Sequence, residues 1–73
     1  QIMSFEYRCP EYTLHVVFSA QNNLLNYKLP KGNYIVKLAN GQVNLTDDVM
    51  TGEIESYPIE RYTALVLKKY SNK

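Results

Sequence analysis

Cys9 and His15 are the residue types that could form a nucleophile and base couple, and each occurs only once in this chain of 73 residues. Thiolate attack needs a base within hydrogen-bond reach, a further group to orient that base, and donors for the developing oxyanion. A chain this short rarely encloses a cleft that holds the whole set. Cys9 therefore reads as a small buried apolar residue, and His15 as a solvent-side strand residue that pairs with a neighbour. A lone histidine excludes a His-based metal cluster, and a lone cysteine excludes both an internal disulfide and a four-cysteine zinc site. The carboxylates Asp47, Asp48, Glu53 and Glu55 lack the alternate spacing, glycine and terminal glutamate of a calcium loop. They read as a helix cap and solvated surface. No catalytic residue, metal ligand or cofactor is assigned, and the chain is expected not to be an enzyme.

The seven tyrosines are the stronger signal. They exceed what so small a core encloses, and tyrosine is favoured both at protein interfaces and on single-strand stacking platforms. Stacking would call for Lys or Arg interleaved with them on one strand face. Only Tyr27-Lys28, Tyr34 with Lys37, and Arg61-Tyr62 approach that pattern. The net charge is only +1, and the basic residues are scattered apart from Lys68-Lys69 and Lys73, a poor footprint for nucleic acid. Contact with protein is the favoured reading, with Tyr12, Tyr27, Tyr62 and Tyr70 as interface residues.

These residues must be positioned by a small fold. Hydrophobic residues make up 45% and charged residues 21%, values that suit one compact domain with a thin stability margin. No apolar run approaches the ~18 residues of a membrane span, and no signal peptide is recognisable; the chain reads as soluble. Phe5 and Tyr7 mark a short edge strand. Tyr12 to Phe18 alternates, with Tyr12, Leu14, Val16 and Phe18 on one face and Thr13, His15 and Val17 on the other. Residues 19–23 read as a loop and Leu24 to Leu29 as a returning strand that Pro30-Lys31-Gly32 interrupts.

Tyr34 to Leu38 and Val43 to Leu45 then flank Asn40-Gly41, the dipeptide that supplies the positive φ angles of a type I′ hairpin turn. The pattern places Tyr34, Val36, Leu38, Val43 and Leu45 in the core with Leu14 and Val16. Thr46, Asp47 and Asp48 offer a helix N-cap, and Met50, Ile54 and Tyr57 follow at helical spacing up to Pro58. Gly52 weakens that helix by ~1 kcal/mol. In Ile59 to Tyr70, helical spacing competes with alternation, and the Tyr, Thr and Val content favours a strand. Ser71 to Lys73 reads as a frayed end. The expected fold is α+β: a small antiparallel sheet or partly open barrel of about four or five strands with one short helix.

The run Tyr34 to Asp48 resembles a pattern in small tailed-phage accessory proteins of unassigned function, in which a strand, Asn-Gly, a second strand and Thr-Asp-Asp lead into a short helix. The opening Phe5-Glu6-Tyr7-Arg8-Cys9-Pro10 is similar too. Val43-Asn44-Leu45 departs from the pattern where an aromatic is expected, and so does Gly52. The resemblance implies a virion-associated component attached to capsid, portal or tail, located in the virion or the host cytoplasm. Its partner would be another protein, self-assembly included. The alternatives are a phage-encoded inhibitor of a host protein and an OB-like single-stranded nucleic-acid module.

Overall fold

The computed structural model describes residues 1–71 and consists of strands joined by turns and loops. The strands are β1 (Ile2–Arg8), β2 (Tyr12–Ser19), β3 (Leu25–Ala39), β4 (Gln42–Val43), β5 (Met50–Ile59) and β6 (Thr63–Tyr70). All pairings are antiparallel, in the order β1-β2-β6-β3-β4, with β5 also on β3. The sheet curls into a half-barrel. Expected positions 72 and 73 of the frayed end lie outside the described residues.

The expected α+β class is overturned: among the described residues there is no helix, and the segment from Met50 to Tyr57 is strand β5. An isolated helix of two or three turns is barely stable in water, whereas β5 gains a ladder against β3 from Leu25↔Ile59 to Ile35↔Met50. Gly52 enters that ladder at φ 74°, and its N–H is accepted by Asn33 Oδ1 at 3.1 Å. Pro58 lies within β5 rather than ending a helix, and an outer strand is where a sheet tolerates a missing N–H.

The Asn40-Gly41 hairpin is as expected at its turn. The φ angles of 52° and 75° give the type I′ geometry between Leu38↔Val43 and Ala39↔Gln42. A Cβ on Gly41 would meet open space, so the cost of Gly41→Ala is purely that of the left-handed backbone. It should lower unfolding free energy by about 1–2 kcal/mol in urea titrations, with no loss of structure.

β3 does not break at Pro30-Lys31-Gly32. It runs for 15 residues, with a register irregularity between Lys28 and Gly32 that bends it. Its first half and β5 carry Leu25, Tyr27, Leu29, Ile54, Tyr57 and Ile59 over the concave side. Its second half pairs with β6. The core between them is Val17, Leu29, Tyr34, Val36, Ile59, Leu65 and Leu67. The hydroxyl of Tyr34 donates to the carbonyl of Pro30, pinning the bend to the core.

One expectation of face is reversed. Leu14 and Val16 were expected inside; instead Val17 is buried, at 1% exposure, and Phe18 is exposed. The cause lies far along the chain. β6 inserts between β2 and β3 with Val17↔Leu65 and His15↔Leu67 as partners, and partners share a face. Leu65 and Leu67 are buried against Tyr34 and Val36, which sets β2 with Val17 inward. Leu38 also leaves the core, because a register shift between Val36 and Leu38 places it opposite Val66. Val43 and Leu45 are exposed.

A candidate protein-binding face

The residues displaced from the core gather on the convex side. Since direct partners share a face, the ladders define rows across the sheet. One row runs Phe5, Val16, Val66, Leu38, Val43 through β1, β2, β6, β3 and β4. Beside it lie Met3, Phe18 and Ala64, and on the other flank Tyr7, Leu14 and Lys68. Phe5 is 54% exposed and Val43 62%, with Met3, Tyr7 and Phe18 comparably open. The Phe5 and Phe18 rings lie 6.3 Å apart. An antiparallel sheet with one covered face normally turns polar residues to water on the other. Here the outward face of β2 is more apolar than its inward face, which carries Thr13, His15, Val17 and Ser19. A contiguous apolar face of this kind, partly open to water, is a candidate interaction surface.

One corner of the face is fastened by a polar cluster. Asp47, expected as a helix cap, instead ties its loop to the sheet. Lys37 Nζ donates to Oδ1 at 2.9 Å, Lys68 Nζ to Oδ2 at 3.3 Å, and the Tyr70 hydroxyl to Oδ2. Lys68 Nζ also lies 4.7 Å from the centre of the Tyr12 ring and 4.5 Å from that of Tyr70, and those rings meet edge to face. The Tyr70 hydrogen bond, then the lysines, hold the Asp47 carboxyl well below the usual carboxylate range. A depressed carboxylate contributes stability above its unfolded value and loses it as pH falls toward the folded value. Urea titrations of Asp47→Asn should therefore fall short of the parent by a constant margin between about pH 5 and 7, and the margin should shrink below about pH 4.

Of the four tyrosines chosen from sequence, Tyr12 and Tyr70 meet in this corner. Tyr62 stands at the other end of the face, 66% exposed in the turn before β6 at φ 53°. With Met3 and Phe18 it lines a groove of about 570 Å³. Tyr27 is elsewhere, half-buried against the core on the concave side. Met3, Phe5 and Phe18, which are exposed, and Leu14, Val16 and Val66, which are half-buried, were missed as residues of this face. The available signal was Ala64-Leu65-Val66-Leu67, apolar at every position, as in a strand covered on both sides.

The other constellations are dispersed. His15 faces inward, its Nδ1 3.6 Å from Glu6 Oε2 and its ring edge-on to Tyr34. This corrects its expected solvent-side placement. Burial lowers its pKa, which Glu6 opposes in part. Cys9 is half-exposed at the β1–β2 turn, where its N–H donates to the Tyr12 carbonyl at 2.9 Å; it keeps company with Tyr12 rather than His15. Asp48 accepts from Thr46, and Glu53 lies 3.8 Å from Lys31. Among the described residues, no group of three or more His, Cys, Asp or Glu is placed to hold a metal ion, and no helix is long and apolar enough to cross a membrane. The chain matches no family model, no curated protein and no solved structure.

Proposed function

We propose that this chain is a non-enzymatic protein-binding accessory protein that docks through the convex face of its sheet, as a virion-associated component of a tailed phage. The observation that supports binding is the row Phe5, Val16, Val66, Leu38 and Val43, apolar across five strands, exposed at its ends Phe5 and Val43 and half-buried between them. The one cation in the rows, Lys68, is taken up by Asp47 and two tyrosine rings, which favours a protein partner over a phosphate backbone. Tyr12, Tyr62 and Tyr70 stand at its rim, where amphipathic rings suit a partly wet boundary. The virion setting rests on the resemblance of residues 34–48 and the opening segment to small phage accessory proteins.

The test is a double variant, Phe5→Lys with Phe18→Lys, used beside the parent as bait against purified phage capsid, portal and tail components. Both side chains are exposed, so the variant should keep its fold and melt within a few degrees of the parent. Retention of the virion component should fall at least tenfold, and the parent's retention should be insensitive to salt between about 0.1 and 0.5 M. Undiminished capture by the variant would remove the face from the proposal. Retention that collapses with salt would favour the nucleic-acid alternative.

A further inference from the structure

Among the described residues β1 ends the sheet on one side, while on the other β3 carries both the two-residue β4 and the longer β5, and the two long outer strands β1 and β5 are built differently. Along β5 the ladder is interrupted by register shifts, Pro58 lies in the strand, Gly52 turns it to positive φ, and Glu53 and Glu55 stand exposed. Bulges, proline and charge are the devices by which sheets prevent edge-to-edge pairing. β1 carries none of the backbone devices. Its seven residues pair with β2 in unbroken register from Ile2↔Ser19 to Arg8↔Thr13, without proline or bulge.

The free groups of β1 can be assigned by parity. Ala20 N–H donates to the Gln1 carbonyl and Cys9 N–H to the Tyr12 carbonyl. Gln1 and Cys9 thus turn their polar groups toward β2, and in an antiparallel ladder alternate residues do the same. Residues Met3, Phe5 and Tyr7 belong to that set. Ile2, Ser4, Glu6 and Arg8 therefore direct their backbone N–H and C=O away from β2, along the open edge.

We infer that this edge pairs with β1 of a second copy of the chain, antiparallel about a two-fold axis at Phe5, joining two half-barrels into one continuous sheet. The commitment to a second copy comes from self-complementarity. Centred on Phe5, Ser4 lies opposite Glu6 of the partner and Ile2 opposite Arg8, so every outward-directed backbone group of the strand meets another. On the convex side Met3 faces Tyr7, and Phe5 faces itself. A register one step toward the C-terminus sets Glu6 against Glu6, and one step toward the N-terminus leaves Arg8 unpaired. The central register also places no like charges directly opposite, and each Glu6 already holds Arg8 at 2.8 Å. The pairing extends the apolar convex face without covering it. The inference therefore adds to the proposed docking face and stands on a separate observation.

The experiment is sedimentation of the whole chain over a concentration series with two proline variants. Ser4→Pro removes an N–H from the open edge and should fold normally yet sediment as one copy where the parent sediments as two. Val43→Lys alters the convex face away from β1 and should leave the dimer intact while weakening capture of the virion component. Phe5→Pro removes an N–H that serves β2 and should lower stability itself. The register is read in a Cys9→Ser background, where Phe5→Cys should form an intermolecular disulfide on mild oxidation, since directly facing Cα atoms across a non-hydrogen-bonded pair lie about 4.5 Å apart. Val43→Cys, equally exposed, should not. A parent that stays single at every concentration, or a Ser4→Pro chain that still pairs, overturns the inference and leaves the docking face to its own test.

Discussion

Val17→Asp is expected to leave the chain unfolded at neutral pH, while Val16→Asp, one residue earlier, is expected to fold. Val17 lies at 1% exposure opposite Leu65 and within the cluster of Leu29, Ile59 and Leu67. A carboxylate there forfeits the burial of a valine and adds an unpaired charge, together about 5 kcal/mol or more. That is comparable to the whole stability of a small domain, about 5 kcal/mol at the low end. Val16 looks outward between Phe5 and Val66, where a carboxylate reaches water, and the change should cost about 1 kcal/mol. Far-ultraviolet circular dichroism and amide spectra distinguish the two outcomes. A folded Val17→Asp beside an unfolded Val16→Asp would mean that β2 is turned over and that the convex face is in truth the core.

Tyr34→Ala should produce the next largest loss. Tyr34 has no exposed surface, is among the largest fully buried side chains, packs against the edge of His15 and bonds the Pro30 carbonyl. Aromatic-to-alanine changes in cores cost about 3–5 kcal/mol, which in a domain of this size lowers the melting midpoint by about 15–30 °C. Tyr34→Phe keeps the ring and loses the bond to Pro30, worth about 1 kcal/mol. The contrast separates packing from the fastening of the β3 bend. A midpoint that moved by less than about 5 °C in Tyr34→Ala would show that this position does not organise the core.

Local chemistry was legible and long-range pairing was not. Asn40-Gly41 specified its turn because the required φ angles belong to those two residues alone. The strand over Tyr12 to Phe18 could likewise be read from alternation and residue type, and so could the later part of the strand expected from Ile59 to Tyr70, which begins at Thr63 because Ile59 ends β5. The helix failed because Met50, Ile54 and Tyr57 satisfy helical spacing, while the same residues pair with β3 in a ladder broken by a register shift between Lys28 and Gly32, with Ile54, Tyr57 and Ile59 packed in or against the core. The orientation of β2 failed for a related reason. Its more apolar face looks like the inner one until β6, more than 40 residues later, fixes the phase through Val17↔Leu65. Part of the convex face proposed for docking could be reached from tyrosine alone, since Tyr12, Tyr62 and Tyr70 lie at its rim. Its middle, from Phe5 to Val43, became visible only when the strand order brought five strands into one row.

β6 lies between β2 and β3, the last strand of the described chain holding together two that precede it. During synthesis, the β1–β2 hairpin and the β3–β4–β5 unit can each close locally, but neither can bury its apolar side until Leu65 and Leu67 arrive. Such non-local closure places folding in the slower range for small domains, about milliseconds to seconds. A nascent chain stopped before Thr63 would therefore carry an unsealed hairpin and an unsealed three-stranded unit with open edges and apolar flanks, a form for chaperones to hold or for proteases to remove.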